Sequence, residues 1–346
     1  MQNPRVVTVS QLSDFDEIID VRSPAEFAED HIPGAINAPV LDNEQRAEVG
    51  TLYTQESPFI AKKRGAALIA RNIAQHIESL FSDKPKQWKP LVYCWRGGQR
   101  SGAMAHILAQ VGWSVGKLEG GYKNYRRQVR SDLDTLPNNL QFRVICGPTG
   151  SGKSRFLRVL HEQGAQVLDL EALAQHRGSL LGDLPDEPQP AQKMFESRVW
   201  HALHRFDVTR PVFVEAESKK IGILGTPETL LERMRHSDCL LLEAPVAARV
   251  QLLMEDYRHF LGDPALLIRR LTPLLPLHGR QVLDHWQALA QQGDWSTLVE
   301  KLLTEHYDPA YQRSTAHNFL QLGKASTLRL DTLDEEALRA AAPLAL

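Results

Sequence analysis

The stretch Phe142-Arg143-Val144-Ile145-Cys146-Gly147-Pro148-Thr149-Gly150-Ser151-Gly152-Lys153-Ser154 decides the fold of the larger part of this chain. Its first five residues form an apolar run of strand type. They lead into the full pattern G-x-x-x-x-G-K-[ST], and helical spacing follows over 153–162, with Gly164 as its stop. A strand that turns through glycines into a helix aims backbone N–H groups and the positive helix end at an anion. Gly147, Thr149, Gly150, Ser151, Gly152, Lys153 and Ser154 are therefore expected to hold a diphosphate. The amides cradle it, Lys153 adds charge, and the Ser154 hydroxyl can reach a Mg²⁺ ion. The loop reads phosphates and is silent on the group attached to them. Cys146 beside it reads as a packed strand-end residue.

Downstream, further strands are expected at 167–169, 212–215, 239–242 and 327–330. Helices are expected at 191–206, 228–235, 247–260 and 334–341, with a helical region at 264–307 that Pro273 and Pro276 interrupt. Val212-Phe213-Val214-Glu215 is an apolar strand ending in an acid, the place of a Walker B segment. Glu215 or Glu217 either holds a metal or orients a substrate, or simply caps the strand and meets solvent. Both readings stand. His201 and His204 lie one turn apart with no third ligand in view, so packing or surface roles are expected for them.

Upstream, strands at 18–21 and 91–93 alternate with helices at 66–80 and 101–110, the latter stopped near Gly112. That rhythm predicts a mainly parallel sheet flanked by helices. The polar, turn-rich stretch 130–140 marks the junction, giving domains over 1–130 and 141–346, both α/β.

Within the first domain, Cys94-Trp95-Arg96-Gly97-Gly98-Gln99-Arg100-Ser101 follows an apolar strand and opens a helix. Converging amides, the helix dipole, Arg96 and Arg100 predict a thiolate of lowered pKa at Cys94. Gly97 and Gly98 let the backbone approach a bound group closely. The arginine stands six positions after the cysteine, in a C-x5-R-S arrangement. That is the spacing of cysteine phosphatases, and it implies a wider anion cradle, suited to a phosphate-sized or selenium-bearing group, formed by Trp95, Arg96, Gly97, Gly98, Arg100 and Ser101.

Bulk properties narrow the setting. Lysine and arginine number 40 against 42 acids, a formal charge of −2, so any nucleic-acid partner needs a local basic surface. The pairs Arg126-Arg127 and Arg269-Arg270 are candidates, and tryptophans can stack on bases. The cysteines Cys94, Cys146 and Cys239 are too few and scattered for a disulfide framework, which favours a reducing compartment. The opening residues lack an apolar signal core, and no apolar run reaches the ~20 residues of a membrane helix. A cytoplasmic location with no membrane partner is the expectation.

Asp20-Val21-Arg22-Ser23-Pro24-Ala25-Glu26-Phe27 and His31-Ile32-Pro33-Gly34-Ala35-Ile36-Asn37 resemble the opening of a rhodanese domain, a family that carries sulfur on a loop cysteine. Short-loop rhodaneses place the arginine one position nearer the cysteine than here. Asp20 and His31 read as structural members of that opening. With the loop at Cys94, the loop at Lys153, Leu168-Asp169-Leu170-Glu171, His176-Arg177-Gly178-Ser179 and 214–222, nearly the full chain resembles the bacterial tRNA 2-selenouridine synthase family. Ala216 stands between the two glutamates where an aspartate would be expected.

That resemblance implies exchange of sulfur for selenium in 2-thiouridine at the tRNA wobble position, with selenophosphate as donor. It also implies geranylation of the same sulfur from geranyl diphosphate, held on the Lys153 loop. The expected partners are this tRNA, the two small substrates and an enzyme that produces selenophosphate. No tightly bound cofactor is expected beyond Mg²⁺. Cys94 would deliver selenium or assist its delivery, and covalent selenium on it is to be sought by mass analysis. The rivals are a P-loop kinase or ATPase with a sulfurtransferase or phosphatase-like appendage, and a binding module whose first domain is inactive. Intact Cys94 and Lys153 argue against the last.

Overall fold

A computed structural model describes residues 3–346. The chain divides into two units: residues up to 132 together with Ala191–His201, and Leu133–Pro190 together with Ala202–Leu346. The first unit is thus completed by a segment that comes after the 130–140 junction. The ring of Tyr125 meets Trp200 edge-on at 5.4 Å, Trp200 donates to Asp132 at 2.8 Å, and Lys193 pairs with Glu29 at 2.6 Å. Arg126 pairs with Glu196.

The first unit is built on a five-stranded parallel sheet. Its strands are β1 (Arg5–Val7), β2 (Glu17–Asp20), β3 (Ile36–Asn37), β4 (Pro90–Tyr93) and β5 (Gly116–Leu118), in the order β1-β5-β4-β2-β3. β4 lies in the middle and all four of its residues are buried. A strand covered on both faces reads as an unbroken apolar run, as it does here. The helices Pro58–Ser79 and Gln99–Val111 supply Ile73, Met104 and Leu108 to the core beside Val92 and Cys94. The first begins earlier than its apolar spacing suggests, because Ser57 caps it through its bond to Phe59 N and Pro58 suits the first turn. Gly112, at φ +112°, ends the second.

The second unit repeats the principle. It holds β6 (Phe142–Cys146), β7 (Gln166–Leu168), β8 (Val212–Glu215), the small antiparallel pair β9 (Lys220–Ile221) and β10 (Leu224–Gly225), β11 (Asp238–Glu243) and β12 (Ser326–Arg329). The main sheet is parallel, ordered β12-β11-β6-β8-β7. From β6 the chain moves to one side of the sheet and later returns to the other. The crevice at the carboxyl end of β6 is therefore where a ligand site is expected in an open parallel sheet. The helix Lys153–Glu162 starts there.

The region expected to be helical over 264–307 contains Pro264–Leu271, Leu275–His278, Arg280–Gln292 and Trp295–Lys301, then a π-helical turn over Leu302–Tyr307. Pro273 and Pro276 sit in the first turns of short pieces, where a missing N–H is harmless. The helix expected over 247–260 is in fact two, Val246–Asp256 and Arg258–Leu261, with the break at Tyr257. These helices pack around their own core, with Phe260, Leu267, Trp286, Leu289 and Leu298 at its centre. Among the described residues, no helix is long and apolar enough to cross a membrane.

Candidate functional site

In the first unit the chain leaves β4 directly into Cys94, whose side chain is buried. Its Sγ receives the Gly98 N–H at 3.3 Å and lies 3.2 Å from the Ser101 Oγ. The sulfur is thus held by a backbone amide of its own loop and by the hydroxyl at the start of the helix. A second loop secures the first: Tyr122 N donates to Cys94 O at 2.8 Å and Lys123 N to Trp95 O at 2.9 Å. Gly121, at φ +58°, makes this possible, since a Cβ there would stand 2.2 Å from Cys94 O.

Arg100 is held sideways. Its guanidinium gives two hydrogen bonds to Glu26, at 2.7 and 3.3 Å. Burial pushes the Glu26 carboxyl up, but the hydrogen bond and charge of Arg100 outweigh this, and its pKa is lowered overall. Glu26 also caps its own helix by accepting from Ser23 N at 3.1 Å. Trp95 is 39% exposed and lies 5.2 Å from the Tyr122 ring. The remaining members of the opening motif are structural. Asp20 and Arg22 form a fully buried ion pair at 2.6 Å, and His31 stacks on Phe27 at 3.7 Å.

In the second unit the loop 147–154 curls over the end of β6. Lys153 Nζ reaches back to Gly147 O at 2.8 Å and Pro148 O at 3.3 Å, and lies 3.4 Å from Glu215 Oε1. The Ser154 hydroxyl meets Glu215 Oε2 at 2.9 Å and Glu171 Oε2 at 3.0 Å. Donor atoms of Glu171, Glu215 and Glu217 all lie within 4.8 Å of one another. Glu215 and Glu217 are buried, so the reading in which they merely meet solvent is corrected: β8 delivers them inward.

Crowding has an electrostatic cost. Burial and the neighbouring Glu215 and Glu217 charges push the Glu171 carboxyl well up, against the opposing pull of Lys153. Glu217 is raised to about 8, by burial first and by Glu215 second. Carboxylates held this close favour protonation or a cation. The set fits a hard divalent ion, for which one or two carboxylates and a hydroxyl beside bound phosphates are ordinary ligands. Gly178, at φ +67°, leaves room for them: a Cβ there would be 2.8 Å from Glu171 Oε1.

Three further residues shape the phosphate loop and carried no signal in the sequence. Arg249 is buried and donates twice to Thr149 O, at 2.7 and 2.9 Å. Asp308 grips the same guanidinium at 2.6 and 3.0 Å. Tyr311 accepts the Gly147 N–H at 2.7 Å. Elsewhere, hydrogen bonding to Cys239 and burial push the Cys146 thiol up, consistent with a packed residue. Arg270 is occupied by Asp183 at 2.5 Å and Arg127 by Asn124 at 2.9 Å. His201 and His204 do not join the glutamate cluster, the one group of three such donors within reach of a shared ion among the described residues.

Comparison with known proteins agrees with this arrangement. Residues 140–264 match the family model for the tRNA 2-selenouridine synthase AAA domain, and residues 7–128 match that of the rhodanese-like domain. A tRNA 2-selenouridine synthase of Nitrosomonas europaea is 35% identical over 263 residues, covering 75% of this chain and 67% of its own length. That of Shewanella halifaxensis is 32% identical over 324 residues, covering 85% and 87%. That of Shewanella oneidensis is 30% identical over 355 residues, covering 93% of each. With both domain types in sequence order and relatives aligned over nearly the whole chain, this protein belongs to the tRNA 2-selenouridine synthase family.

Proposed function

We propose that the chain replaces sulfur by selenium in wobble 2-thiouridine of tRNA in the cytoplasm, by way of an S-geranylated intermediate, using geranyl diphosphate and selenophosphate. The observation that carries this reading is the completeness of two anion loops in one chain. One has Cys94 held by the Gly98 amide and Ser101; the other has Lys153 and Ser154 facing glutamates.

The first step uses the Lys153 loop. The thiouridine sulfur forms a bond to the first geranyl carbon, and the carbon–oxygen bond breaks with its electron pair leaving on diphosphate. The N3 proton of the base goes to solvent. Lys153 and the loop amides hold the departing charge. Bound at Glu171, Glu215 and Ser154, Mg²⁺ would neutralise further phosphate charge.

The second step uses the Cys94 loop. Selenium in selenophosphate is already fully reduced, so placing it on a cysteine sulfur would require an oxidant. Attack on phosphorus does not. The Cys94 sulfur forms a bond to phosphorus, the phosphorus–selenium bond breaks, and hydroselenide leaves with the electron pair. Hydroselenide adds to C2 of the geranylated base, geranylthiolate departs, and the selenium-bound proton moves to N3. Water then releases phosphate from Cys94. A phosphate-sized cradle suits this better than one sized for bare sulfur.

The test is nucleoside mass analysis of 2-thiouridine tRNA incubated with both donors and wild type, Cys94→Ala or Lys153→Ala protein. The geranylated nucleoside should accumulate with Cys94→Ala and never form with Lys153→Ala. Unchanged tRNA with wild type overturns the reading. The Lys153–Glu215 pairing would also serve a nucleotide hydrolase, and rapid ATP turnover indifferent to geranyl diphosphate would favour that rival.

A further inference from the structure

Beside the phosphate loop lies an apolar cavity of about 60 Å³ with an open mouth. Its wall includes Thr149 of the phosphate loop itself, then Tyr257, Phe260, Leu267, Leu298 and Leu302 from the segment between β11 and β12. The loop and the cavity share a wall. Leu253 lines the cavity, and a Cβ on Gly150 would stand only 2.9 Å from its Cδ1. Arg249 fixes this junction by holding Thr149 O.

The lining decides what can enter. Among the described residues, no charged or amide side chain faces the cavity. Of its polar groups, the Tyr257 hydroxyl is 3.4 Å from Ser179 Oγ, so each has a partner already. A nucleoside there would leave base and ribose groups without hydrogen bonds, each a cost of about 1–3 kcal/mol. A hydrocarbon chain would instead gain from every methylene buried.

We propose that this cavity holds the hydrocarbon tail of an allylic diphosphate whose phosphates sit on the Lys153 loop, and that its wall selects the substrate by tail. The inference rests on the proposed function, and it assigns the residues that recognise the tail. Tyr257 interrupts the helix where the wall bends, and its ring stacks at 6.2 Å on Phe260 and lies under Arg177 at 4.8 Å. The aromatic wall is therefore fixed from both sides. Selection follows from the same geometry, since the phosphates are pinned at Thr149 and the chain must run inward toward Leu298.

The test compares binding of inorganic diphosphate, dimethylallyl diphosphate, geranyl diphosphate and ATP to the full chain with Mg²⁺. Wild type should bind geranyl diphosphate at least about a hundredfold more tightly than inorganic diphosphate, equivalent to about 2.8 kcal/mol. Dimethylallyl diphosphate should fall between. Val299→Trp fills the cavity from a half-buried position on its wall. It should bring geranyl diphosphate within about threefold of inorganic diphosphate while leaving the latter unchanged. Geranyl diphosphate bound as by wild type, with the diphosphate site intact, overturns the assignment of the cavity. If Val299→Trp also loses diphosphate, Leu253→Phe is read by the same criterion. Wild type that binds ATP and gains nothing from a prenyl tail overturns the functional reading itself, a distinct result.

Discussion

Glu26 and Arg100, far apart in sequence, meet through two hydrogen bonds of 2.7 and 3.3 Å, so the arginine of the cysteine loop is steered by the first α-helix of the chain, Pro24–Glu29. Arg100 is 16% exposed at its side chain and Glu26 23%. The pair therefore sets the loop's charge distribution from beneath. An incoming anion meets an arginine whose direction is already chosen.

Removing Glu26 should uncouple the two half-reactions. Glu26→Ala leaves a largely buried guanidinium without its partner, costing about 1–3 kcal/mol of stability. Selenium incorporation should fall by about tenfold or more, while geranylation, which uses the other loop, is unaffected. Single-turnover assays of each half-reaction check this, and an equal loss in both would count against the separation.

The Cys94 peptide should acquire a phosphoryl group from selenophosphate, not selenium. Rapid acid-free quenching followed by mass spectrometry reads the difference, because selenium carries a distinctive isotope pattern. Ser101→Ala, which removes the hydroxyl 3.2 Å from the sulfur, should slow this step by about tenfold to a hundredfold. Selenium found on Cys94 without added oxidant would refute the phosphorus route.

Arg249 should act through the phosphate loop without touching the phosphates. Asp308→Asn weakens its grip, and Asp308→Ala leaves the buried Arg249 charge short of a partner, a change of about 3–5 kcal/mol for pairs of this type. The expected kinetic sign is a raised KM for the diphosphate substrate with a smaller change in kcat. Near-normal KM in a folded Asp308→Ala protein would show that Arg249 alone suffices.

The glutamate cluster should make the ligand-free protein less stable as pH rises. Glu217 titrates near 8 when folded against an ordinary value of 4.5. The folded state thus keeps a proton that the unfolded chain releases. The contribution is full below the unfolded value and is lost as pH climbs through about 8. The Tm should decline from about pH 5 to about pH 8.5, by an amount reflecting at most a few kcal/mol. Glu217→Gln should flatten the profile, and Mg²⁺ should restore stability at the alkaline end. A Tm independent of pH and Mg²⁺ would mean that the three carboxylates are not coupled in this way.

Much of the architecture could be read from the chain because its signals are local. The strand Val212–Glu215 and the helix Lys153–Glu162 lie where apolar spacing placed them. The short strands β1, β3 and β5 offered too few residues for a period to register; β3 and β5 are strands by pairing with the longer β2 and β4, and β1 by pairing with β5. The helix break at Tyr257 was hidden because the apolar spacing runs on across it, and no proline or glycine marks the place.

The two loops themselves were determined by sequence alone. A strand, glycines and a helix start are contiguous, so Cys94 and Lys153 are placed by the few residues around them. What only the tertiary structure decided are the partners drawn from distant segments. They include Glu26 on Arg100, Glu171 joined to Glu215 and Glu217, and Asp308 reaching Thr149 through Arg249. The apolar cavity beside Thr149 belongs with them. Helical periodicity states that Phe260, Leu267 and Leu298 face inward, but which inward faces meet depends on chain packing, and that has no local code.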